Sequence, residues 1–438
     1  MSRQWKLSWC HSPNEPTAQL ARSFQNRRVQ MFATLRASND PNVRRYAELL
    51  EHSVFASAPR IFGAASKASG QQYSAILAAL RELTEPQRRS LFLHPYFTTW
   101  WHQVYHAIAR HDRGSSLEDL LPHLGRFIVG QVIRLPGASL SRISIPLVNG
   151  CELRFPGVQT HLKLSAPEIC LVSSSPKGDL TLECGGESWD LRDLLRAGSQ
   201  KSQISVLRVR RSAFNGIEVD TEDPFMEETF AWLRDRAREH GHTDQIFGIS
   251  MTAHRRGQLA AAARVAKTVS PNLWEEVISY VQLLGLMKSP NVSSFTTTRM
   301  PGALLLSESK HAFSDPLFTA EHFIHEALHQ RMLYQLAVQN LYNNNEEDEI
   351  WSPFRQQSRP IRYVVQGAYV FARLAEFQLL AASILKEEIA AKRFHEVQAM
   401  VAESIDGLHR HASLTAAGST WFGQLKTLHQ RLNTQAAI

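Results

Sequence analysis

The spacing of apolar residues divides the chain into helical and extended parts. From about Glu15 to Ser116 apolar residues recur at three- and four-residue steps, and breaks such as SNDP and SG separate the repeats, which predicts helices. Between about Leu140 and Val219 the period falls to two in short runs such as SRISIPLV, THLKLSA and DLTLECG, which end at Gly, Pro or Ser. This alternation predicts a largely antiparallel sheet.

Helical spacing returns after the predicted sheet. It covers PFMEETFAWLRDRAREH and GQLAAAARVAKTVSPNLWEEVISYVQLLGLM, whereas VSSFTTTRMPGALLLSES predicts a strand pair, and three further helices are expected to finish the chain. The predicted fold class is therefore α+β and mostly helical. We divide it into an N-terminal helical region (residues 1–136), an antiparallel β-rich region (137–222) and a helical region with the candidate site (223–438). In the first region, LHPYFTTWWHQVYHAIARHD is predicted to be a buried helix.

Composition limits the classes of protein to which this chain can belong. Its 438 residues are 43% hydrophobic and 20% charged, as in ordinary globular proteins, and the length is enough for two or three compact units. No apolar run approaches the roughly 20 residues that span a bilayer, and the N-terminal residues lack the apolar core of a signal peptide. We therefore expect a cytoplasmic protein without membrane contact. The four cysteines form no CxxC pair and are predicted to be free thiols.

The net charge of +7 does not by itself identify a partner. Basic residues are scattered in short groups such as RVRR and HRRGQ rather than in a stripe with interleaved aromatic residues. Nucleic acid is therefore not expected as a partner, and an acidic peptide or protein substrate is at least as compatible with the charge.

One short stretch, TAEHFIHEALHQRMLYQ, carries the residues with the clearest chemistry. Its segment HEALH places His325, Glu326 and His329 in an HExxH motif. Residues four apart lie on one face of a helix, so both imidazoles can reach one metal ion, and Glu326 can approach a water molecule bound to that ion. Asp315 is predicted to begin this helix.

The third ligand decides the chemistry of such a site. A metzincin would continue with Gly and His at the positions that Met332 and Gln335 hold here, so that class is excluded. A zinc peptidase of the gluzincin type takes a glutamate from later in the chain, and the candidates are Glu346, Glu347, Glu349 and Glu376. The first three lie in an acidic, asparagine-rich run that is also typical of a solvated surface loop.

The helix predicted in SRPIRYVVQGAYVFARLAEFQLL offers another kind of ligand. Gln366 can donate its amide oxygen to a metal, and Arg373 lies two turns further along the same face. An arginine beside a metal suits a carboxylate ligand, because its guanidinium can hold that group with two hydrogen bonds. The alternatives are a packed polar residue for Gln366 and a salt bridge to Glu376 for Arg373.

Three segments, LLLSES, AEHFIHEALHQ and WSPFRQQSRPIRYVVQGAYVFARLAEF, together resemble the family of HExxH-motif peptide-modification proteins, which are found with ribosomally made, post-translationally modified peptides. The resemblance covers about Pro301 to Leu380, and LHPYFTTWW in the N-terminal region is also similar. Some members of the family are α-ketoglutarate-dependent peptide β-hydroxylases. In the family's pattern a histidine precedes the GAYVF segment, where this chain has Gln366.

The resemblance implies an iron(II) site that is built from His325, His329 and a residue of the following helix, for which Gln366 is the candidate. An amide oxygen is a weaker neutral ligand than imidazole, so either this protein tolerates a poorer third ligand or another group completes the shell. The co-substrates would be α-ketoglutarate and O2. The substrate would be a ribosomally made precursor peptide that is hydroxylated at the β-position of a side chain.

The resemblance also implies roles for three further residues. Arg373 or Arg359 would bind the distal carboxylate of α-ketoglutarate, and Glu326 would orient ligands or water. Two alternatives stay open. One is a zinc peptidase, in which Glu326 would be the general base. The other is a non-catalytic peptide-binding protein with a degraded metal site, which Gln366 in place of histidine favours. Imidazole binds both iron and zinc, so composition does not distinguish them.

Overall fold

The computed structural model describes residues 40–109, 115–134, 140, 142–148, 150–164, 170–175, 179–197, 206–210, 212–239, 245–289, 292–308, 313–345 and 347–437. Of these residues 63% are in helices and 16% in strands. Helices lie in the N-terminal and C-terminal parts, and antiparallel sheets lie between them. The predicted fold class, mostly helical α+β, is therefore confirmed.

The helices of the described residues fall into two groups. The N-terminal helices are α1 (Pro41–Ala64), α2 (Lys67–Glu82), α3 (Glu85–Phe92), α4 (Pro95–Ala109), α5 (Ser115–Leu120) and α6 (His123–Arg134), with the short α7 (Leu191–Ala197) later in the chain. The C-terminal helices are α8 (Pro224–Glu239), α9 (Ala253–Val269), α10 (Pro271–Tyr280), α11 (Pro316–Val338), α12 (Ile361–Leu385), α13 (Glu388–His411) and α14 (Ala416–Ala436).

The described strands form four sheets. They are β1 (Ile143–Ile145), β2 (Glu152–Leu153), β3 (Thr160–Leu164), β4 (Cys170–Ser174), β5 (Leu180–Cys184), β6 (Glu187–Asp190), β7 (Val206–Arg210), β8 (Ser212–Phe214), β9 (Ile217–Val219), β10 (Phe247–Gly248), β11 (Leu283–Lys288), β12 (Ser294–Phe295), β13 (Ala303–Ser307), β14 (Glu349–Ser352) and β15 (Gln357–Pro360). The order β1-β4-β5-β6 makes one antiparallel sheet and β2-β3-β7 another.

The third sheet, which we call the central sheet, has the order β12-β13-β11-β9-β8, with β10 paired to β11. Strands β8 and β9, which the sequence analysis assigns to the β-rich region, thus pair within a sheet that also holds strands of the following region. The predicted boundaries at 136 and 222 stay predictions. The strand pair predicted in VSSFTTTRMPGALLLSES is present as β12 and β13, which run antiparallel.

The central sheet corrects one sequence prediction. The end of the predicted helix, QLLGLM, forms β11, which runs parallel to β9 and β13. Residues 283–287 are all buried. A short, fully apolar run has the same pattern in a buried strand and in a buried helical segment, so periodicity could not distinguish them.

The tract predicted as a buried helix is α4. Trp100 is fully buried and Trp101 is 6% exposed, and the Trp100 indole N–H donates to the backbone carbonyl of Leu120 at 2.7 Å. Another part of the α4 surface is exposed, with Tyr105 46% exposed. The prediction of a buried helix is therefore confirmed for the tryptophan face.

The C-terminal part contains one more helix and one more hairpin than expected. Four described helices, α11 to α14, follow the central sheet instead of three. Between α11 and α12 the chain forms an antiparallel hairpin of β14 and β15, with Ile350 opposite Arg359 and Trp351 opposite Ser358. Only Ile350 of these four is an aliphatic side chain that packs into the core, so the hairpin has little apolar alternation by which to predict it.

Helix α12 is long and apolar enough to cross a bilayer by length and composition alone, although Arg373 and Glu376 interrupt it. It packs against α11, α13 and α14. A buried helix in the core of a protein meets the same criterion, so the predicted absence of membrane contact is not tested by this finding. Among the described cysteines, Cys151 and Cys184 are free thiols as predicted, and Cys10 lies outside the described residues.

Candidate functional site

Helix α11 carries the HExxH motif, and other elements cover most of its surface. The Asp315 side chain accepts hydrogen bonds from the backbone N–H groups of Leu317 and Phe318, and Pro316 is the first helical residue. The helix packs against α9, α10 and α12 and contacts β12 and β13 of the central sheet. The predicted start of the helix at Asp315 is therefore confirmed.

The two histidines of the motif point to the same space. Their Nε2 atoms are 3.2 Å apart, and their ring centroids are 4.7 Å apart. Two imidazole nitrogens that each bind one metal ion at about 2.1 Å would stand about 3.0 to 3.4 Å from each other, for octahedral or tetrahedral angles. Helix α11 therefore presents His325 and His329 at the spacing of a chelating pair.

Both imidazoles are held in the neutral form that binds metals. Burial lowers the pKa of His329 to about 4, and the positive charge of Arg355 contributes. Burial also lowers the pKa of His325 well below its ordinary value, together with the neighbouring histidines and the charges of Arg355 and Arg393. Protons therefore do not compete with a metal ion for this pair near neutral pH.

Glu326 is buried and joined to the central sheet by hydrogen bonds. Its Oε1 accepts a hydrogen bond from Ser294 Oγ at 2.6 Å, and Thr296 also hydrogen-bonds to the carboxyl group. Burial raises the pKa of Glu326 to about 7, although these two hydrogen bonds and the charge of Arg355 act to lower it. The carboxyl group is thus divided between its protonated and ionised forms near neutral pH.

His322 lies on the other side of the same Ser294 hydroxyl. Its Nδ1 is 2.7 Å from Ser294 Oγ. The Ser294 hydroxyl donates to Glu326, so His322 and Glu326 share one hydroxyl as their hydrogen-bond partner. Burial lowers the pKa of His322 to about 4, so the ring is neutral. Its Nε2 is buried and has no hydrogen-bond partner among the described residues. The chain His322–Ser294–Glu326 therefore fixes one face of α11 against β12.

The turn of the β14–β15 hairpin packs next to the histidine pair. Phe354 in this turn stacks on Phe371 of α12, with ring centroids 4.1 Å apart and an interplanar angle of 7°. Phe371 in turn meets the His325 ring at 5.4 Å. Gly367 leaves room for this contact, because a Cβ at that position would lie 3.1 Å from the Phe354 ring. The aromatic contacts thus connect the hairpin turn to the histidine pair.

Arg355 follows Phe354 in this turn, and its positive charge acts on the titratable groups of the HExxH motif. It lowers the pKa of His325, Glu326 and His329. The residue is exposed, and none of the described carboxylates forms a salt bridge with it. Sequence reasoning missed Arg355, because a turn residue has no periodic position that marks it. The only signal was its place in the segment WSPFRQQSRP.

The two arginines that the sequence analysis favoured have other contacts. Arg373 donates to Glu276 Oε1 and to Glu376 Oε2, both at 2.6 Å. Arg359 lies over the ring of Tyr363, 4.7 Å from its centroid. Neither arginine contributes to the pKa shifts of the histidine pair. Their assignment to α-ketoglutarate stays a prediction that these contacts do not support, and Arg373 makes the salt bridge to Glu376 that was the alternative.

The described residues bring together two candidate metal ligands, His325 and His329, but not three of the usual kind. Within this part of the chain, no three His, Cys, Asp or Glu side chains come together as a metal site. Glu347 and Glu349 are exposed, Glu376 is paired with arginines, and Glu346 lies outside the described residues. Gln366 is partly buried on α12, and its role as a ligand stays a prediction. The histidine pair therefore fits two coordination positions of an ion that prefers imidazole.

A scan against models of known protein families finds no match to this chain, and a search of curated protein sequences finds no significant similarity. The resemblance to the HExxH-motif peptide-modification proteins therefore rests on the quoted segments.

Proposed function

We propose that this protein is an iron(II)- and α-ketoglutarate-dependent oxygenase that hydroxylates a peptide. The observation that carries the proposal is the neutral pair His325–His329, with Nε2 atoms 3.2 Å apart, beside the exposed guanidinium of Arg355. Two imidazoles leave most coordination positions of an ion free. A keto acid uses two of these positions and needs a cation for its distal carboxylate. This combination suits a keto-acid-dependent oxygenase better than a hydrolase.

A zinc peptidase of the gluzincin type has less support from the contacts. It requires a third ligand with a carboxylate, and no described carboxylate joins the histidine pair. It also requires the motif glutamate as a general base that faces a metal-bound water. Glu326 is 4% exposed, and its Oε1 accepts a hydrogen bond from Ser294. This contact favours a positioning role for Glu326.

Each group near the motif then has a definite task. Bound iron(II), together with the keto acid, would supply the activation of oxygen. His325 and His329 would hold the ion, and Arg355 would bind the distal carboxylate with two hydrogen bonds, which orients the keto acid. Phe354 and Phe371, stacked beside His325, would exclude water from that side of the site.

Glu326 would act through its neighbours. The hydrogen-bonded chain from His322 through Ser294 to Glu326 holds the motif helix against β12. A carboxyl group with a pKa of about 7 can hold a proton or release it near neutral pH without a large cost in free energy. Glu326 would therefore keep the motif helix in place against β12 and hold a proton at its carboxyl group.

A peptide substrate is supported by the resemblance and by one surface feature. Trp351 on β14 is 48% exposed, and Tyr363 in the first turn of α12 is 41% exposed. Both lie on elements that flank the turn with Arg355. Exposed aromatic side chains with an arginine nearby are typical of surfaces that bind peptides.

Anaerobic reconstitution tests the proposal. Metal-free protein is loaded with iron(II), and α-ketoglutarate is added in the absence of oxygen. We expect the weak visible charge-transfer band of a chelated keto acid, and we expect the double variant His325→Ala/His329→Ala to lose it. If no band forms, zinc binds tightly and Glu326→Gln abolishes cleavage of peptides, the protein is a peptidase and the proposal is wrong.

One alternative is favoured by a specific observation. Because the described residues supply no third His, Cys, Asp or Glu ligand, the chain also fits a peptide-binding protein with an incomplete metal site. Such a protein would keep its affinity for a peptide when His325 and His329 are replaced by alanine, and it would give no keto-acid band. An oxygenase would keep peptide affinity but show the band with the wild-type chain.

A further inference from the structure

A second pair of histidines lies on α4, far along the chain from the HExxH motif. His102 and His106 are four residues apart, and their Nε2 atoms are 3.2 Å apart. The separation equals that of the Nε2 atoms of His325 and His329. The ring centroids are closer, at 4.3 Å, with an interplanar angle of 83°. The exposed face of α4 therefore presents two imidazole nitrogens at a chelating distance.

This histidine pair lines a cavity of about 470 Å³. The wall opposite α4 comes from α5, α8 and the segment after β12. Besides the two histidines, the polar side chains that line the cavity belong to Thr99, Gln103, Asp119, Glu228, Thr229 and Arg299. A cavity of this volume holds several water molecules beside the imidazoles. An ion bound there would therefore complete its coordination shell with water.

The charges that face the cavity favour a cation. Asp119 and Glu228 contribute two carboxyl groups, and neither has a hydrogen bond to another described residue. Burial raises the pKa of Glu228, and the nearby charge of Arg299 acts in the opposite direction. Arg299 is the opposing charge, and its guanidinium lies over the ring of Trp232, 5.0 Å from the centroid. The buried Nε2 of Gln103 has no hydrogen-bond partner among the described residues, so it is a donor that water in the cavity would satisfy.

We propose that His102 and His106 bind a second divalent transition-metal ion of the kind that prefers imidazole nitrogen, with Asp119 and Glu228 accepting hydrogen bonds from its water ligands. Zinc is the simplest member of this class. Burial lowers the pKa of His102, and the charges of His106 and Arg299 lower it further. This site does not depend on the proposed oxygenase function.

Zinc titration of the full chain tests the proposal. Metal-free protein is titrated with zinc alone against a chromophoric chelator of known affinity. We expect two zinc ions per wild-type chain, one per His102→Ala/His106→Ala chain and one per His325→Ala/His329→Ala chain. Because the second double variant keeps the α4 site, a failure of the oxygenase proposal would not change its count. If His102→Ala/His106→Ala binds as many zinc ions as the wild type, the α4 site does not exist.

Two further measurements distinguish a metal site from a hydrogen-bonded histidine pair. Asp119→Asn or Glu228→Gln should weaken zinc binding at α4 by about tenfold, the usual cost of losing a group that orients a metal ligand. Arg299→Gln should tighten zinc binding, because it removes the opposing charge. A weakening of zinc binding by Arg299→Gln would contradict the expected effect of the opposing charge and would overturn the proposal.

A matched control uses two histidines that cannot share a metal. His409 and His411 are exposed on α13 and are two residues apart, so they do not face the same side of the helix. The double variant His409→Ala/His411→Ala should bind two zinc ions, like the wild type. A loss of one ion in this variant would show that the second zinc binds elsewhere, and the assignment to α4 would be wrong.

Discussion

Arg355→Gln is expected to weaken the binding of α-ketoglutarate to the iron-loaded protein. The guanidinium is exposed in the β14–β15 turn, and its charge reaches His325 and His329. In the proposed complex it donates two hydrogen bonds to the distal carboxylate. Glutamine keeps the length and the polarity of the side chain but removes the charge and the two-pronged geometry.

The size of the effect follows from the contacts. A hydrogen bond to a charged group contributes about 1.5 to 3 kcal/mol in a protected site. Arg355 is exposed, so solvent screening reduces this to about 1 to 2 kcal/mol. The dissociation constant of α-ketoglutarate should therefore rise by about 5- to 30-fold.

The assay is an anaerobic titration of α-ketoglutarate that follows the visible band of the iron–keto acid complex. Two arginines of the same segment serve as controls. Arg359→Gln alters a residue that lies on Tyr363, and Arg373→Gln alters one that pairs with Glu276 and Glu376. Both should change the dissociation constant by less than about threefold, since neither charge acts on the histidine pair.

A second ligand makes the test specific for the distal carboxylate. α-Ketobutyrate has the keto acid group but no distal carboxylate, so Arg355→Gln should leave its affinity unchanged. If Arg355→Gln and the wild type bind α-ketoglutarate equally well, or if Arg373→Gln has the larger effect, the assignment of Arg355 is refuted. The oxygenase proposal itself would survive either result, because the band in the wild type tests it separately.

Three other predictions concern the surroundings of the site. Burial raises the pKa of Glu326 from 4.5 to about 7, so between these two pH values the folded state keeps a proton that the unfolded state has released. The stabilisation from this proton is fully present below pH 4.5 and is lost as the pH rises through 7. In metal-free protein, the free energy of unfolding of Glu326→Gln minus that of the wild type should therefore increase by about 2 kcal/mol from about pH 5.5 to about pH 8, as measured by urea unfolding. A difference that does not change with pH would contradict this. Phe354→Ala removes a stacked pair worth about 0.5 to 1.5 kcal/mol and should weaken α-ketoglutarate binding by about two- to tenfold, whereas Phe354→Tyr should bind like the wild type. Arg373→Ala leaves Glu276 without one of its two arginines, so we expect a loss of about 2 kcal/mol in the free energy of unfolding with unchanged keto-acid affinity. A changed keto-acid affinity would show that Arg373 contributes to the binding site.

Local rules were sufficient for the motif helix. Asp315 caps α11 and Pro316 begins it, and the four-residue step between His325 and His329 brings their Nε2 atoms to 3.2 Å. Each of these features depends on helix geometry over about one turn, which any helix with this sequence shares. The predicted helical class and the buried tryptophan face of α4 follow from periodicity in the same way.

The remaining features depend on contacts between distant segments. The run LLGLM became the strand β11 because β9 and β13 lie beside it, and periodicity alone does not distinguish a buried strand from a buried helix. The polar network of Glu326 requires Ser294, which is 32 residues earlier in the chain. No spacing rule relates these two residues, so only the packing of β12 on α11 shows the contact.

The chain itself determined that two imidazoles would share one face of a helix, because that separation is a property of the α-helix. The tertiary structure decided which arginine accompanies them. Arg355, Arg359 and Arg373 lie within nineteen residues, and all have the chemistry to bind a carboxylate. The stacking of Phe354 on Phe371 above Gly367 brings Arg355 near the pair, while Glu276 and Glu376 hold Arg373 elsewhere. Which arginine lies near the histidine pair depends on where packed side chains leave room and on which charges are already paired. Both are properties of the folded chain.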